Sequence, residues 1–159
     1  MIIPIDDALL DAVCAEAAAS PRRRKNRNFH PGDDFPAHRL LNAVQPDSYL
    51  PPHRHLDSAK DETFVVLRGV LALVIFDDAG TVTQVVRIGR DGGALGADIP
   101  HGTWHTVIAL APDSVFLEAK AGPYRPLSEA ERAPWAPAEG AKDAPAYFDA
   151  LKRRVGGMG

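Results

Sequence analysis

The sequence predicts an all-β fold, a jelly roll (double-stranded β-helix) of two antiparallel sheets, with one helix at each end of the chain. Short β-rich runs follow one another from residue 38 to residue 121 at close, regular spacing. Tight turns such as DDAG at 77–80 separate these runs. No helical pattern lies between them, which favours a sandwich or barrel over alternating helices and strands. A double-sheet jelly roll also protects the edge strands of such a chain.

Length, charge and cysteine content restrict the classes of function. A chain of 159 residues is expected to form one domain. The net charge of −3 provides no global field that would favour nucleic acid. The longest uncharged apolar run, residues 69–76, is too short to span a bilayer. The single cysteine, Cys14, fits a reducing compartment. We therefore expect a cytoplasmic protein without nucleic-acid or membrane partners.

Residues 1–37 are expected to form an N-terminal helix followed by a basic arm. Asp6 or Asp7 can cap the helix, and Pro21 ends it because the residue before a proline avoids the α region. The basic run at 22–27 is either a solvated linker or an anion clamp, since arginine binds phosphate and carboxylate bidentately. The apolar positions at helical spacing are Leu9, Leu10, Val13, Cys14 and Ala17.

The jelly-roll core is expected over residues 38–121. Residues 122–159 should form a wrapping loop, rich in proline, and a C-terminal helix that Asp143 caps. The helix is predicted because Ala144, Phe148, Leu151 and Val155 recur at helical spacing. The expected strands are 38–44, 48–55, 62–67, 69–76, 81–88, 94–99, 103–110 and 114–121.

Three histidines and one glutamate stand where a metal site can form. His53 and His55 are two residues apart in an expected strand, so both imidazoles share one face. Glu62 opens the next strand, and His105 begins a later strand after a Pro-x-Gly turn. Imidazole and carboxylate together suit iron, manganese, nickel or zinc. These residues therefore predict a site for one divalent metal ion.

The spacing of these residues resembles the two motifs of the cupin superfamily, which are jelly-roll metalloproteins with the metal inside the barrel mouth. The motifs here read HRH at 53–55, ETFVVLRG at 62–69 and PHGTWH at 100–105. The gap of six residues between His55 and Glu62 is longer than the commoner cupin spacing. Asp57 and Asp61 therefore remain rivals of Glu62 as the carboxylate ligand.

A closer resemblance, over about residues 20–140, is to the WbuC family of cupin-fold metalloproteins. That family is associated with bacterial O-antigen and surface-polysaccharide gene clusters. The resemblance implies a sugar or sugar derivative as substrate and a role in polysaccharide metabolism. It rests on the segments SPRRRKNRNFH, SYLPPHRH, KDETFVVLRG, FDDAG, IPHGTWHT, EAKAGPY and WAPAEG.

Alternation along strands supplies three candidate catalytic residues. Tyr49 shares the expected face of His53 and His55, so its hydroxyl could approach the metal or a ligand. Glu118 and Lys120 share a face of the last strand. They are either an exposed cross-strand pair or, if they face inward, an acid/base pair whose pKa values burial would shift.

An anionic small molecule is the expected ligand. Three neutral imidazoles and one carboxylate leave a bound divalent ion with a net charge of about +1, which attracts anionic oxygen donors. Arg68 is expected on the Glu62 face of its strand, where it could bind the ligand. Arg27, in the basic arm, and His30 are further candidates for substrate binding.

Three functions remain open on the sequence. The first is a metal-dependent enzyme that acts on a sugar derivative by an isomerisation or epimerisation type of proton transfer. The second is a non-catalytic module that binds an anionic sugar through a structural or ligand-gripping metal. The third is an iron-dependent dioxygenase. A homodimer is expected in each case, with the segment before His38 as a candidate for crossing to the partner.

Overall fold

The computed structural model describes residues 1–91 and 93–157, in which two antiparallel sheets face each other and a helix covers the outer face of each. This architecture confirms the predicted jelly roll with a helix at either end. Gly92, in an expected turn, and the last two residues lie outside the described residues. Over residues 1–91 and 93–157, no helix is long and apolar enough to cross a membrane.

The elements agree with the expected ones except at two places, the basic arm and residues 48–55. The basic arm contains a strand, and residues 48–55 do not form one. A short 3-10 helix, Glu129–Glu131, interrupts the wrapping loop. The elements in chain order are α1 (Asp7–Ala19), β1 (Arg24–Asn28), β2 (Ala37–Val44), β3 (Glu62–Arg68), β4 (Val70–Phe76), β5 (Val82–Gly89), β6 (Gly96–Ile99), β7 (Trp104–Ala109), β8 (Ser114–Ala121) and α2 (Ala144–Gly156).

The strand order determines which side chains meet. The larger sheet has the order β1-β2-β8-β3-β6, and the smaller sheet has the order β5-β4-β7. β8, the last strand along the chain, pairs with β2 on one side and β3 on the other. Lys120 of β8 lies opposite Glu62 of β3 and opposite His38 of β2. Since paired residues point to the same face, β8 brings Lys120 beside Glu62.

Apolar residues fill three layers. Phe64, Leu71 and Phe116 belong to the core between the two sheets. Helix α1 packs Val13 and Cys14 against the outer face of the larger sheet, as the helical spacing predicts. Helix α2 covers the smaller sheet, and its buried residues are Ala144, Phe148, Leu151 and Val155. β4 is covered on both faces, which explains its continuous apolar sequence VLALVIF.

Residues 48–55 contribute two isolated bridges, both through His53, instead of the expected strand. Pro51 and Pro52 carry no N–H groups, so they cannot donate to a ladder. The His53 N–H donates to the His105 carbonyl at 3.0 Å, and the His105 N–H donates back at 2.9 Å. On its other side His53 bridges Arg132, a residue that follows the 3-10 helix. The C-terminal segment therefore holds the histidine segment against β7.

The basic run is tied to acidic residues of the same chain. Arg22 and Arg24 both donate to Glu139 at 2.8 Å. Arg23 pairs with Asp47 at 2.9 Å, and Lys25 pairs with Glu16 at 3.2 Å. These ion pairs favour a structural role for the run, in which Arg22 and Arg24 hold the C-terminal segment, over both a solvated linker and an anion clamp.

Replacing Glu139 with glutamine should lower the free energy of unfolding by about 1 kcal/mol at pH 7, because both arginines lose their anion. Burial alone would raise the pKa of Glu139, but hydrogen bonds from Arg22 and Arg24 outweigh it and lower the pKa to about 2, from an ordinary value of 4.5. A carboxylate with a lowered pKa stabilises the fold above its unfolded pKa. The difference between wild type and variant should therefore shrink as the pH falls from 4.5 to about 2.

Urea unfolding at several pH values measures this effect. Glu16→Gln is the matched control, because Glu16 has one partner, Lys25, and both side chains are about half exposed. We expect the control to change the free energy of unfolding by less than about 0.5 kcal/mol. Equal effects of the two variants, or a difference independent of pH, would contradict the role of Glu139.

Candidate metal centre

The structure brings the predicted ligands together at one end of the barrel. We call His53, His55, Glu62 and His105 the donor cluster. Donor atoms of His53, His55 and Glu62 all lie within 4.8 Å of one another. The ring of His105 lies 4.7 Å from that of His53, measured between ring centroids. Glu62 and His105 are each only 3% exposed, whereas His53 and His55 are partly buried, so the cluster is shielded on the side of Glu62 and His105.

Glu62 is the centre of the donor cluster. Its Oε1 lies 3.1 Å from Nε2 of His55, and its Oε2 lies 3.0 Å from Nε2 of His105. Donor atoms that bind one ion at about 2.0–2.2 Å lie within about 4.4 Å of one another. The two observed distances are therefore compatible with donors that share one ion.

Backbone carbonyls determine which ring nitrogens are available. Nδ1 of His53 lies 3.1 Å from the Pro51 carbonyl, and Nδ1 of His105 lies 2.9 Å from the Thr103 carbonyl. A carbonyl oxygen only accepts hydrogen bonds, so both Nδ1 atoms carry the proton. Each neutral ring then presents an unprotonated Nε2, the tautomer that a metal ligand requires.

This arrangement leaves a buried carboxylate oxygen without a hydrogen bond. Oε2 of Glu62 has no hydrogen-bond partner among the residues that the structure describes, although Nε2 of His105 is 3.0 Å away. With the proton of His105 on Nδ1, both facing atoms carry lone pairs. Two such atoms repel each other unless a cation or a proton lies between them. The residues present therefore fit a divalent metal ion.

The rival carboxylates lie elsewhere. Asp57 accepts a hydrogen bond from the Ala59 N–H at 2.9 Å, within an exposed turn. Asp61 accepts from the backbone and the ring of His101, at 2.8 Å and 2.7 Å. Of the three acids considered, only Glu62 has an oxygen near the histidines of the donor cluster.

The environment shifts the pKa values of the donor cluster toward the forms that bind metal. Burial, assisted by the nearby His105, lowers the pKa of His53 to about 3, so the ring is neutral at pH 7. Burial alone would raise the pKa of Glu62. The hydrogen bond with His55 and the charge of Lys120 outweigh it, so that pKa is lowered and Glu62 is ionised.

Glu118 and Lys120 point inward and join Glu62 in a buried row. The Lys120 ammonium lies 3.0 Å from Oε1 of Glu62 and 2.7 Å from Oε1 of Glu118. Asn42 donates a hydrogen bond from Nδ2 to Oε2 of Glu118 at 2.8 Å. The expected alternative of an exposed cross-strand pair is therefore wrong, because the side chains of Glu118 and Lys120 are only 8% and 21% exposed.

The buried row holds two carboxylates and one ammonium group in contact. Burial raises the pKa of Glu118, and the charge of Glu62 adds to this effect. Burial alone would lower the pKa of Lys120. The two carboxylates outweigh it and raise that pKa, so Lys120 stays protonated at neutral pH. The row thus contains a carboxylate of increased basicity beside a permanent cation, the combination expected of an acid/base site.

Tyr49 lies away from this row, contrary to expectation. Its hydroxyl donates to the Pro137 carbonyl at 2.8 Å, and its ring contacts Tyr147 and Phe148. The prediction assumed an extended strand over 48–55, and the proline pair removes the alternation on which it depended. Burial raises the pKa of Tyr49, so the hydroxyl stays protonated and packs against the C-terminal helix.

Arg68 is also displaced from its expected position. A register shift between Val66 and Arg68 pairs Arg68 with Val115, which faces helix α1. The guanidinium group consequently pairs with Asp11 and Asp7 at 2.6 Å and 3.0 Å. The prediction that Arg68 lies on the Glu62 face is wrong because the bulge reverses the alternation.

Arg27 and His30 also lie outside the donor cluster. Arg27 pairs in register with Leu41, whose side chain packs beneath helix α1, so Arg27 lies on the face opposite the site. His30 is buried and stacks on His38, with ring centroids 3.9 Å apart. His38 in turn lies opposite Lys120 in the larger sheet. His30 therefore packs against His38, the cross-strand neighbour of Lys120.

Sequence reasoning missed Asn42, which orients Glu118. The signal was present in β2, where His38, Leu40, Asn42 and Val44 alternate on one face. A polar residue on a face that is otherwise largely apolar indicates a buried hydrogen-bond partner.

Solved structures with a similar fold include KdgF from Halomonas sp. and protein SO0799 from Shewanella oneidensis. KdgF is 19% identical, with 67% of this chain and 84% of KdgF covered and a TM-score of 0.50. SO0799 is 12% identical, with 82% and 83% covered and a TM-score of 0.51. A cupin superfamily protein from Desulfitobacterium hafniense is 10% identical, with 62% and 76% covered and a TM-score of 0.48. No curated protein matches this chain.

The similarities to KdgF and SO0799 show the fold, which is a jelly roll of two antiparallel sheets. The family model described as "Domain of unknown function (DUF6016)" matches residues 5–88, which include His53, His55 and Glu62. His105 follows the matched segment. Because the match covers more than half of the 159 residues, the chain belongs to the DUF6016 family.

Proposed function

We propose that this protein is a metal-dependent enzyme that moves a proton on a small anionic substrate. The observation that carries the proposal is the buried row, in which Lys120 bridges Glu62 and Glu118 directly beside the histidines. A purely structural metal site needs only its ligands. A buried acid and base next to the ligands is typical of catalytic sites.

The charges of the site favour an anionic substrate. The three imidazoles of the donor cluster are neutral when they bind metal, and Glu62 contributes −1. Lys120 offsets the charge of Glu118, because the two groups form an ion pair at 2.7 Å. A divalent ion held by the donor cluster therefore keeps a net charge of about +1, which favours carboxylate or phosphate oxygens.

The side chains of the buried row suit an isomerisation or epimerisation type of proton transfer. A divalent ion in the donor cluster would polarise a carbonyl or hydroxyl oxygen of the substrate. Glu118 serves as the base that takes a proton from the adjacent carbon, with Asn42 holding its other oxygen. Lys120 stays protonated and stabilises the negative charge that develops on the substrate. Glu118 then gives the proton to the neighbouring carbon of the deprotonated substrate, which forms the isomerised product.

The resemblance of the sequence motifs to the WbuC family supports a sugar derivative of surface-polysaccharide metabolism as the substrate. The motif segments at 48–55, 60–69 and 99–106 contain every residue of the donor cluster. The resemblance thus concerns the part of the chain where the chemistry is proposed.

Exchange of substrate protons with solvent tests the proposal. The metal-loaded protein is incubated in D2O with a panel of sugar phosphates and sugar acids, and deuterium incorporation beside the carbonyl is followed by NMR. We expect incorporation with the wild type, a loss of at least about 100-fold with Lys120→Met, and retention of the metal in that variant. Lys60→Met is the matched control, since within residues 1–91 and 93–157 Lys60 donates to the Ala121 and Pro123 carbonyls and lies outside the buried row.

Two outcomes would contradict the proposal. Ligand binding without any deuterium incorporation would favour the non-catalytic binding module. Equal exchange rates in Lys120→Met and Lys60→Met would exclude a role for the buried row.

A further inference from the structure

We infer that the substrate carries a short apolar portion, which binds in a cleft beside the donor cluster while an anionic oxygen group faces the metal ligands. This inference rests on the proposed function and narrows its substrate class. The cleft has a volume of about 270 Å³ and lies between β4 and β5 of the smaller sheet and β6 of the larger sheet. Most of its lining is apolar, and it comprises Leu73, Ile75, Gln84, Val86, Ala97, Asp98, Ile99, Pro100 and Thr103.

Strand register places the cleft next to the donor cluster. Ile75 of β4 lies directly opposite His105 of β7, and Ile99 of β6 lies directly opposite Glu62 of β3. Paired residues in antiparallel strands point to one face, with Cβ atoms about 5 Å apart. Two residues of the cleft wall, Ile75 and Ile99, are therefore direct cross-strand neighbours of the donors His105 and Glu62.

The apolar side chains of the cleft face the space between the two sheets, and they are still partly exposed to solvent. Ile75, Val86 and Ala97 pack against the core between the sheets but are only partly buried. Side chains on the inner face of a jelly roll normally have complete apolar cover. Their partial exposure means that the cleft is unfilled by the chain itself, and small-molecule sites have such largely apolar walls.

The cleft suits a fully hydroxylated ligand poorly, because Gln84, Asp98 and Thr103 are its three polar residues beside six apolar ones. Asp98 accepts a hydrogen bond from the Thr63 hydroxyl at 2.7 Å, on the outer side of the sheet. The hydroxyls of a sugar buried against Ile75, Val86 and Ile99 would lose their hydrogen bonds to water without replacement. The ligand that fits is therefore a derivative with an anionic oxygen group at one end and a deoxygenated, apolar portion at the other.

A series of carboxylates tests the inference on the metal-loaded protein. Acetate, butyrate and hexanoate are titrated by calorimetry, with gluconate as the hydroxylated counterpart of hexanoate. We expect the dissociation constant to fall about threefold to fourfold for each added methylene group until the cleft is full. Hexanoate should bind at least about tenfold more tightly than gluconate.

Val86→Thr and Val85→Thr form a matched pair of variants on β5. Val86 belongs to the core between the sheets, whereas Val85 packs on the outer face beneath helix α2. Val86→Thr should weaken hexanoate binding about threefold to tenfold without changing acetate binding, and Val85→Thr should change neither.

A dissociation constant that does not vary with chain length, a preference for gluconate, or no binding across the series would each overturn the inference. Metal-dependent acetate binding with no dependence on chain length would remove the apolar cleft and leave the proposed function intact. If the dissociation constant still depends on chain length but deuterium exchange is not observed, the apolar cleft stands and the proposed function is contradicted.

Discussion

Replacing both His53 and His105 with alanine should abolish the binding of a stoichiometric divalent metal ion. The double variant loses two imidazole donors but keeps the backbone hydrogen bonds that join the two residues. Metal at about 1,000 times its dissociation constant should stabilise the wild type by about 4 kcal/mol, and this gain should disappear in the variant. Elemental analysis after dialysis and thermal unfolding with and without metal measure the two effects.

His101→Ala is the control for this experiment. His101 is exposed and contacts Asp61, outside the donor cluster. The control should keep full metal content and the full stabilisation by metal. A metal content of one ion per chain in the double variant would exclude His53 and His105 as ligands.

Replacing Lys120 with methionine should lower the free energy of unfolding of the metal-free protein by about 3–5 kcal/mol. The substitution leaves two buried carboxylates without their shared cation, and the loss of one partner from a buried ion pair is strongly destabilising. Urea unfolding monitored by circular dichroism measures the difference.

A double-mutant cycle distinguishes this electrostatic effect from lost packing. Glu118→Gln removes one of the two charges and keeps the hydrogen bond from Asn42. The variant with both substitutions should be more stable than the sum of the single effects predicts, with a coupling energy on the order of 1–3 kcal/mol. Additive effects would mean that the ion pair between Lys120 and Glu118 contributes little to folding.

The sequence predicted those features that depend on local pattern. Helix α1 follows from its Asp6 cap and its apolar spacing, and the cap is observed in the hydrogen bond from the Leu9 N–H to Asp6 at 3.0 Å. Alternation within β8 predicted that Glu118 and Lys120 share one face of the strand. The choice of face depended on tertiary pairing, so the sequence left it open.

Other features depended on backbone irregularities that composition does not reveal. The sequence of β1, RKNRN, has no apolar residue, and it forms an edge strand through its pairing with β2. Arg68 lies on the face opposite the predicted one because of a bulge. Tyr49 lies away from its predicted position because a proline pair interrupts the expected strand. The errors at Arg68 and Tyr49 came from assuming uninterrupted alternation, which a single irregular residue reverses.

The central position of β8 has a consequence for synthesis of the chain. β2 and β3 leave the ribosome first, and each then has an edge that only β8 can pair. Unpaired edges of this kind are templates for association with other nascent chains. Glu62 is made before Lys120, so the buried row can assemble only when the last strand inserts between its two neighbours. Translation that stops before residue 114 would therefore yield a chain with two open edges and without the buried row of Glu62, Glu118 and Lys120.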